Sequence, residues 1–294
     1  MTRTPTLLAV LALLAACGGG NDNLPPPPPP PVAPPATLAT TQPAAQGPSN
    51  ATAPEAPPPA VALVPGVASP DPTSPPTVRF AAPAKGANLT ADKAGATPVK
   101  FDVKNWATAP GGAHLHIVLD GSVVKEVTDP KAPLKLGDLT DGNALAEGQH
   151  ALVVFAVNAN DEAVKTPGAV ATVEFFIGKV KTRSVELGKP LLVYNRPSGE
   201  LAGNAANHVL IDFLVLNDKP AEGKDHVHVT VTGPGIDASK PAFAEATKSG
   251  ATLYLDNLQN GSYQIKVELV GSDHKPIAGA WNSVTRTVTI RHES

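Results

Sequence analysis

Two short runs in this chain place imidazoles two residues apart: His114-Leu115-His116 and His226-Val227-His228. On a β-strand, residues i and i+2 project to the same side. A neutral imidazole is the commonest side-chain ligand for a transition metal, so His114 with His116, or His226 with His228, could share copper or zinc. Two histidines supply only half of a tetrahedral zinc set. The remaining ligands must come from elsewhere in the fold. Asp161 and His274 occupy matching places in a loop further along each run, and either could contribute. His150 is a second candidate. Its counterpart, Tyr263, lies in line with Ile265 and Val267, which marks the position as inward or at a corner and gives His150 a structural role. Asp102 and Asp212 also match each other, on an earlier strand expected in the opposite sheet, and read as solvated or cross-strand partners. His208 and His292 stand alone and read as solvated. The plain alternative is that the paired histidines are exposed sheet residues inherited by duplication, or part of a protein or glycan contact surface.

The elements that must position these pairs come in two copies. Val99-Lys100-Phe101-Asp102-Val103 matches Val209-Leu210-Ile211-Asp212-Phe213. The segment from His114 to Leu119 matches that from His226 to Val231, and Ala171 to Ile177 matches Val284 to Ile290. The order and spacing of these blocks are nearly the same in both copies, which argues for duplication. Each block is short, rich in valine and isoleucine, and bounded by glycine, proline, asparagine or aspartate, as strands are. Asp120-Gly121 between two such blocks predicts a hairpin turn. Alternation assigns the faces: Leu115, Ile117 and Leu119, like Val227, Val229 and Val231, face a core, so the histidines face outward. On the neighbouring strand the outward residues of the second copy are Gln264, Lys266 and Glu268. Those of the first copy are Ala151, Val153 and Phe155, an apolar face that predicts a cover, either the second domain or a partner.

The run Leu258-x-x-Gly261-x-Tyr263, followed by Ile265, Val267 and Leu269, resembles the tyrosine corner of immunoglobulin-like and fibronectin type III-like domains. The resemblance covers both copies, with His150 standing where the first copy would carry the tyrosine. It implies an all-β fold: two tandem immunoglobulin-like β-sandwiches, residues 77–178 and 190–294, after a disordered Pro-rich linker.

That linker, residues 17–76, holds an unbroken run from Pro25 to Pro31 and lacks lysine, arginine and aromatic residues. Such a composition cannot bury enough apolar area to offset its ordering entropy, and reads as a semi-rigid tether. Before it, residues 1–16 carry one cation, Arg3, and an apolar stretch too short to span a bilayer, the pattern of a signal peptide. Leu14-Ala15-Ala16-Cys17 resembles the lipobox of bacterial lipoproteins. The resemblance implies cleavage before Cys17, lipidation of its sulfur, and attachment to the cell envelope through the membrane, the outer membrane being favoured by the glycine that follows. Cys17 is the only cysteine, so the fold expects no disulfide.

A net charge of −3 and the absence of a basic, aromatic-interleaved stripe argue against nucleic acid. No nucleophile elbow, phosphate loop or zinc-protease helix motif occurs. The chain therefore reads as a non-enzymatic binding or structural lipoprotein with a possible protein or envelope partner and no cofactor, the alternative being copper or zinc held by the histidine pairs.

Overall fold

The computed structural model describes residues 59–179, 182–248 and 250–292. Cys17, the residues read as a signal peptide and most of those read as a tether lie outside the described residues. The first strand comes earlier than the composition predicts. Residues 62–65, inside the stretch read as tether, form β1 (Ala62–Pro65), and that strand belongs to the second sandwich. Val61 and Leu63 supply the reason: both pack against the second core, so this end of the proline-rich stretch does have apolar area to bury.

Seven strands build the first sandwich: β2 (Thr77–Ala82), β3 (Ala87–Leu89), β4 (Lys100–Lys104), β5 (His114–Leu119), β6 (Val123–Val127), β7 (Gly148–Val157) and β8 (Val170–Ile177). Sheet β2-β4 packs on the five-stranded sheet β3-β8-β7-β5-β6. The second sandwich uses β9 (Leu191–Arg196), β10 (Gly199–Ala202), β11 (His208–Leu216), β12 (His226–Thr232), β13 (Ala242–Ala246), β14 (Leu253–Asp256), β15 (Gly261–Val270) and β16 (Ser283–Arg291). Its sheets are β1-β14-β11-β9 and β10-β16-β15-β12-β13. In both copies a short strand runs parallel to the last one, β3 beside β8 and β10 beside β16, and every other pairing among the described residues is antiparallel. The repeated blocks of sequence thus fold into repeated topology.

Alternation places the cores as expected. Leu115, Ile117 and Leu119 join Leu152, Val154 and Phe175 in one core. Val227, Val229 and Val231 join Ile265, Val267 and Tyr194 in the other. The Asp120-Gly121 turn has φ of 51° and 73° at its two central residues, the signs of a type I′ hairpin turn. The tyrosine corner is present in the second copy: the Tyr263 hydroxyl donates to the Pro234 carbonyl at 2.9 Å and accepts from the Gln259 amide at 2.8 Å. In the first copy His150 does equivalent work. One ring nitrogen reaches the Ala146 carbonyl at 2.8 Å, and the other meets Asp120 at 2.7 Å.

A third apolar cluster joins the two sandwiches. Ala151, Val153 and Phe155, fully buried, pack with Val118 and Val157 against Leu191, Val193, Leu214 and Trp281 of the second copy. The apolar outer face of the first copy is therefore covered by the second domain. Around this cluster run polar links. Gln149 accepts from the amides of Ser184 and Val185 in the connection, and Glu174 pairs with Arg183. The segment after β1 crosses both bodies. The amide of Gly66 donates to the Thr252 carbonyl at 2.8 Å, and the amide of Ser69 donates to Glu162 at 2.9 Å. The hydroxyl of Thr252 also donates to Glu162, at 2.9 Å.

Candidate metal centre

In the second sandwich the outward face of β12 carries His226 and His228, as alternation requires. Two further side chains converge on them. Strand β13 pairs with β12 so that Glu245 lies directly opposite His228. The turn between β15 and β16 presents His274, at a positive φ of 60°. His226 Nε2 lies 3.0 Å from His228 Nε2 and 3.2 Å from His274 Nδ1, and His228 Nε2 lies 3.2 Å from His274 Nδ1. Glu245 Oε1 is 3.4 Å from His228 Nε2 and 3.5 Å from His274 Nδ1.

These separations have a chemical meaning. Zinc–nitrogen bonds of about 2.0–2.1 Å, arranged tetrahedrally, set the ligand atoms about 3.3 Å apart. Five of the six edges of the three-histidine, one-glutamate set fall on either side of that value, and the sixth, His226 to Glu245, is longer but within 4.8 Å. The protonation pattern also suits a ligand site. His226 Nδ1 is 2.8 Å from the Lys224 carbonyl, which can only accept, so this nitrogen carries the proton and leaves Nε2 as a lone pair facing the centre. A ring held by a backbone carbonyl through its remote nitrogen is the usual outer support of a metal-bound histidine. Burial, followed by the neighbouring His226, lowers the pKa of His228 below the ordinary imidazole value, so this ring stays neutral and available. Phe243 packs edge-on against His228 at 5.0 Å between ring centres and shields one side. The His274 side chain is 57% exposed and that of Glu245 38%, so the cluster opens to solvent there.

The first sandwich repeats the plan with changed partners. His114 and His116 stand on β5, their Nε2 atoms 3.1 Å apart, and Asp161 Oδ1 takes the place of His274 at 3.3 Å from His114 Nε2. Asp161 has a φ of 64°, like its counterpart. The histidines face away from their own core as expected, but their exposure needs correction. His114 is 4% and His116 1% exposed, because the second sandwich covers this face, and His226 of the other pair is buried as well at 3%. Asn195 and Arg196 of β9 reach into it. Asn195 Oδ1 is 2.6 Å from His116 Nδ1, and Arg196 Nη2 is 2.8 Å from Asp161 Oδ2. Burial drives His116 down to about 4 against the opposing Asn195 contact. Burial would lower His114 too, but the Asp161 carboxylate and the Gly112 carbonyl outweigh it and leave the group raised. Contact with His114, then the charge of Arg196, hold Asp161 at about 2.

Of the two roles expected for Asp212, solvated residue or cross-strand partner, the structure shows the second. It is fully buried and accepts from Asn195 Nδ2 on the paired strand β9 at 2.8 Å, and also from Ala163 N at 3.0 Å and Lys165 Nζ at 2.8 Å. Its role is to fix the interface and the orientation of the Asn195 amide. Asp102 is exposed. His208 pairs with Asp256 and stacks on Tyr254, and His292 meets the Leu258 carbonyl. Sequence reasoning missed Glu245, Asn195 and Arg196. Glu245 follows a connection too long to fix the register of β13 on β12, and the other two act only once the sandwiches dock.

No protein-family model matches the chain, and no curated protein matches it. Among solved structures, the chain is similar to the fibronectin(III)-like modules of CbhA from Clostridium thermocellum. The identity is 14% over 74% of this chain and 95% of that one, with a TM-score of 0.26. It is also similar to the N-terminal Ig1-2 module of the Drosophila receptor protein tyrosine phosphatase DLAR. There the identity is 9% over 75% of this chain and 100% of that one, with a TM-score of 0.22. The sandwich assignment stands on the chain's own strand order.

Proposed function

We propose that this is an envelope lipoprotein, anchored through Cys17, whose second sandwich binds a divalent transition metal through His226, His228, His274 and Glu245. One observation carries the reading: four donor atoms from three separate elements converge within 4.8 Å of one another, all but the His226–Glu245 separation near the tetrahedral value, and one histidine already has its remote nitrogen tied to a carbonyl. Donors of this type suit zinc or copper, and the near-tetrahedral spacing favours zinc. Without a recognised catalytic motif, the activity is binding rather than turnover. The tandem immunoglobulin-like bodies would present the ion away from the membrane as a carrier or contact module.

Isothermal titration of the mature chain with zinc and with copper tests the metal. The expectation is a tight phase that disappears in the variant carrying His226→Ala, His228→Ala and His274→Ala. A tight phase that survives this triple substitution refutes the assignment. The anchor is tested separately by mass spectrometry of membrane-extracted protein, where an unmodified Cys17 thiol would sink it.

A further inference from the structure

We propose that the first sandwich holds a second transition-metal site, formed by His114, His116 and Asp161, whose geometry is set from across the domain interface by Asn195. The donors are in place. His116 Nε2 lies 3.1 Å and Asp161 Oδ1 3.3 Å from His114 Nε2, and the three donors lie within 4.8 Å of one another. The remote nitrogens of both rings are accounted for. His114 Nδ1 lies 2.8 Å from the Gly112 carbonyl and donates to it.

The orientation of His116 follows from a chain of fixed roles. The Asn195 amide nitrogen faces two acceptors, Asp212 Oδ2 at 2.8 Å and the Asp161 carbonyl at 3.1 Å. Its oxygen must therefore be the atom turned toward His116. That oxygen only accepts, so His116 Nδ1 carries the proton and its Nε2 is a bare lone pair. Two bare Nε2 atoms 3.1 Å apart repel unless a proton or a metal ion lies between them, and Asp161 adds a negative charge beside them. The other carboxylate oxygen of Asp161 is taken by Arg196, which leaves Oδ1 for the ion.

The two sites differ in kind. The second sandwich offers four protein ligands. The first offers three, with the Asp161 side chain 42% exposed, so a remaining position opens to solvent. The Arg196 cation nearby makes the first site the weaker. Its distinguishing property is that an outer support comes from the other domain, so occupancy there depends on the docking of the two sandwiches.

Zinc titration of the mature chain distinguishes this from the site of the second sandwich. The wild type should bind two ions, and the triple variant at His226, His228 and His274 should bind one, more weakly. Adding Asp161→Asn, a half-exposed and nearly isosteric change, should abolish the remaining ion. Asn195→Ala should weaken the first site about 10- to 100-fold while leaving the second untouched. The second site's unchanged affinity in that single variant serves as the check on folding. One ion in the wild type and none in the triple variant overturns this proposal and leaves the four-ligand reading standing. One ion lost only on Asp161→Asn does the reverse. Unchanged first-site affinity in Asn195→Ala overturns the dependence on docking.

Discussion

Gly121 tests whether the two sandwiches are held together as tightly as their shared apolar cluster indicates. It sits at the tip of the β5–β6 hairpin with a φ of +73°, and a β-carbon there would lie 2.6 Å from Cγ of Trp281 and 2.8 Å from its Cδ1 and Cδ2. Trp281 belongs to the second sandwich and is 6% exposed, so its ring has little room to retreat. Gly121→Ala therefore carries two costs. A left-handed conformation with a β-carbon costs about 1–2 kcal/mol, and forcing a methyl into packed space costs about 1–3 kcal/mol more. Gly142 provides the control. Its φ is +81°, and a methyl added there would meet nothing within 4 Å, so Gly142→Ala carries only the first cost. Urea unfolding should show Gly121→Ala less stable than Gly142→Ala by about 1–3 kcal/mol. Placed on a Trp281→Ala background, the Gly121 substitution should cost no more than the Gly142 one, a coupling that reports the contact itself. Equal costs for the two glycines in the native background would refute a rigid junction.

Tyr263→Phe removes the corner hydroxyl and strands the Gln259 amide and Pro234 carbonyl. It should destabilise the protein by about 1–3 kcal/mol in denaturant titration. His150 is raised above its ordinary value, chiefly by Asp120 and despite its burial. Its folded form thus holds a proton more tightly than its unfolded form, so its stabilisation is complete below the unfolded pKa and fades as pH rises through the raised one. The stability gap between wild type and His150→Gln should accordingly shrink as pH climbs above about 6.5, and a gap that widens with pH would contradict the Asp120 pairing. Removing residues up to Gly66 strips β1 from β14. Hydrogen exchange should then reveal lost amide protection within Leu253–Asp256, and unchanged protection would mean that β1 is not docked.

Much of the site is legible in the sequence because strand periodicity is strict. Once Leu115, Ile117 and Leu119 are assigned inward, the histidine faces follow, and the duplicated register brings Asp161 and His274 to notice. The covered face of Ala151, Val153 and Phe155 is readable for the same reason: a second sandwich occupies it. What escapes depends on contacts between segments far apart in the chain. Asp212 looks like its exposed counterpart Asp102 until three donors from both domains surround it. The surrounding prolines hide the short apolar run at residues 61–64, which the β14 edge and a core that accepts Leu63 recruit as a strand.

That recruited strand has a consequence for how the molecule is made. Ala62 pairs with Asp256, about 190 residues later, so the earliest described strand to leave the ribosome has no partner until almost the entire polypeptide has followed it. The first sandwich can close while β1 waits. Completion of the second then supplies the β14 edge on which β1 pairs.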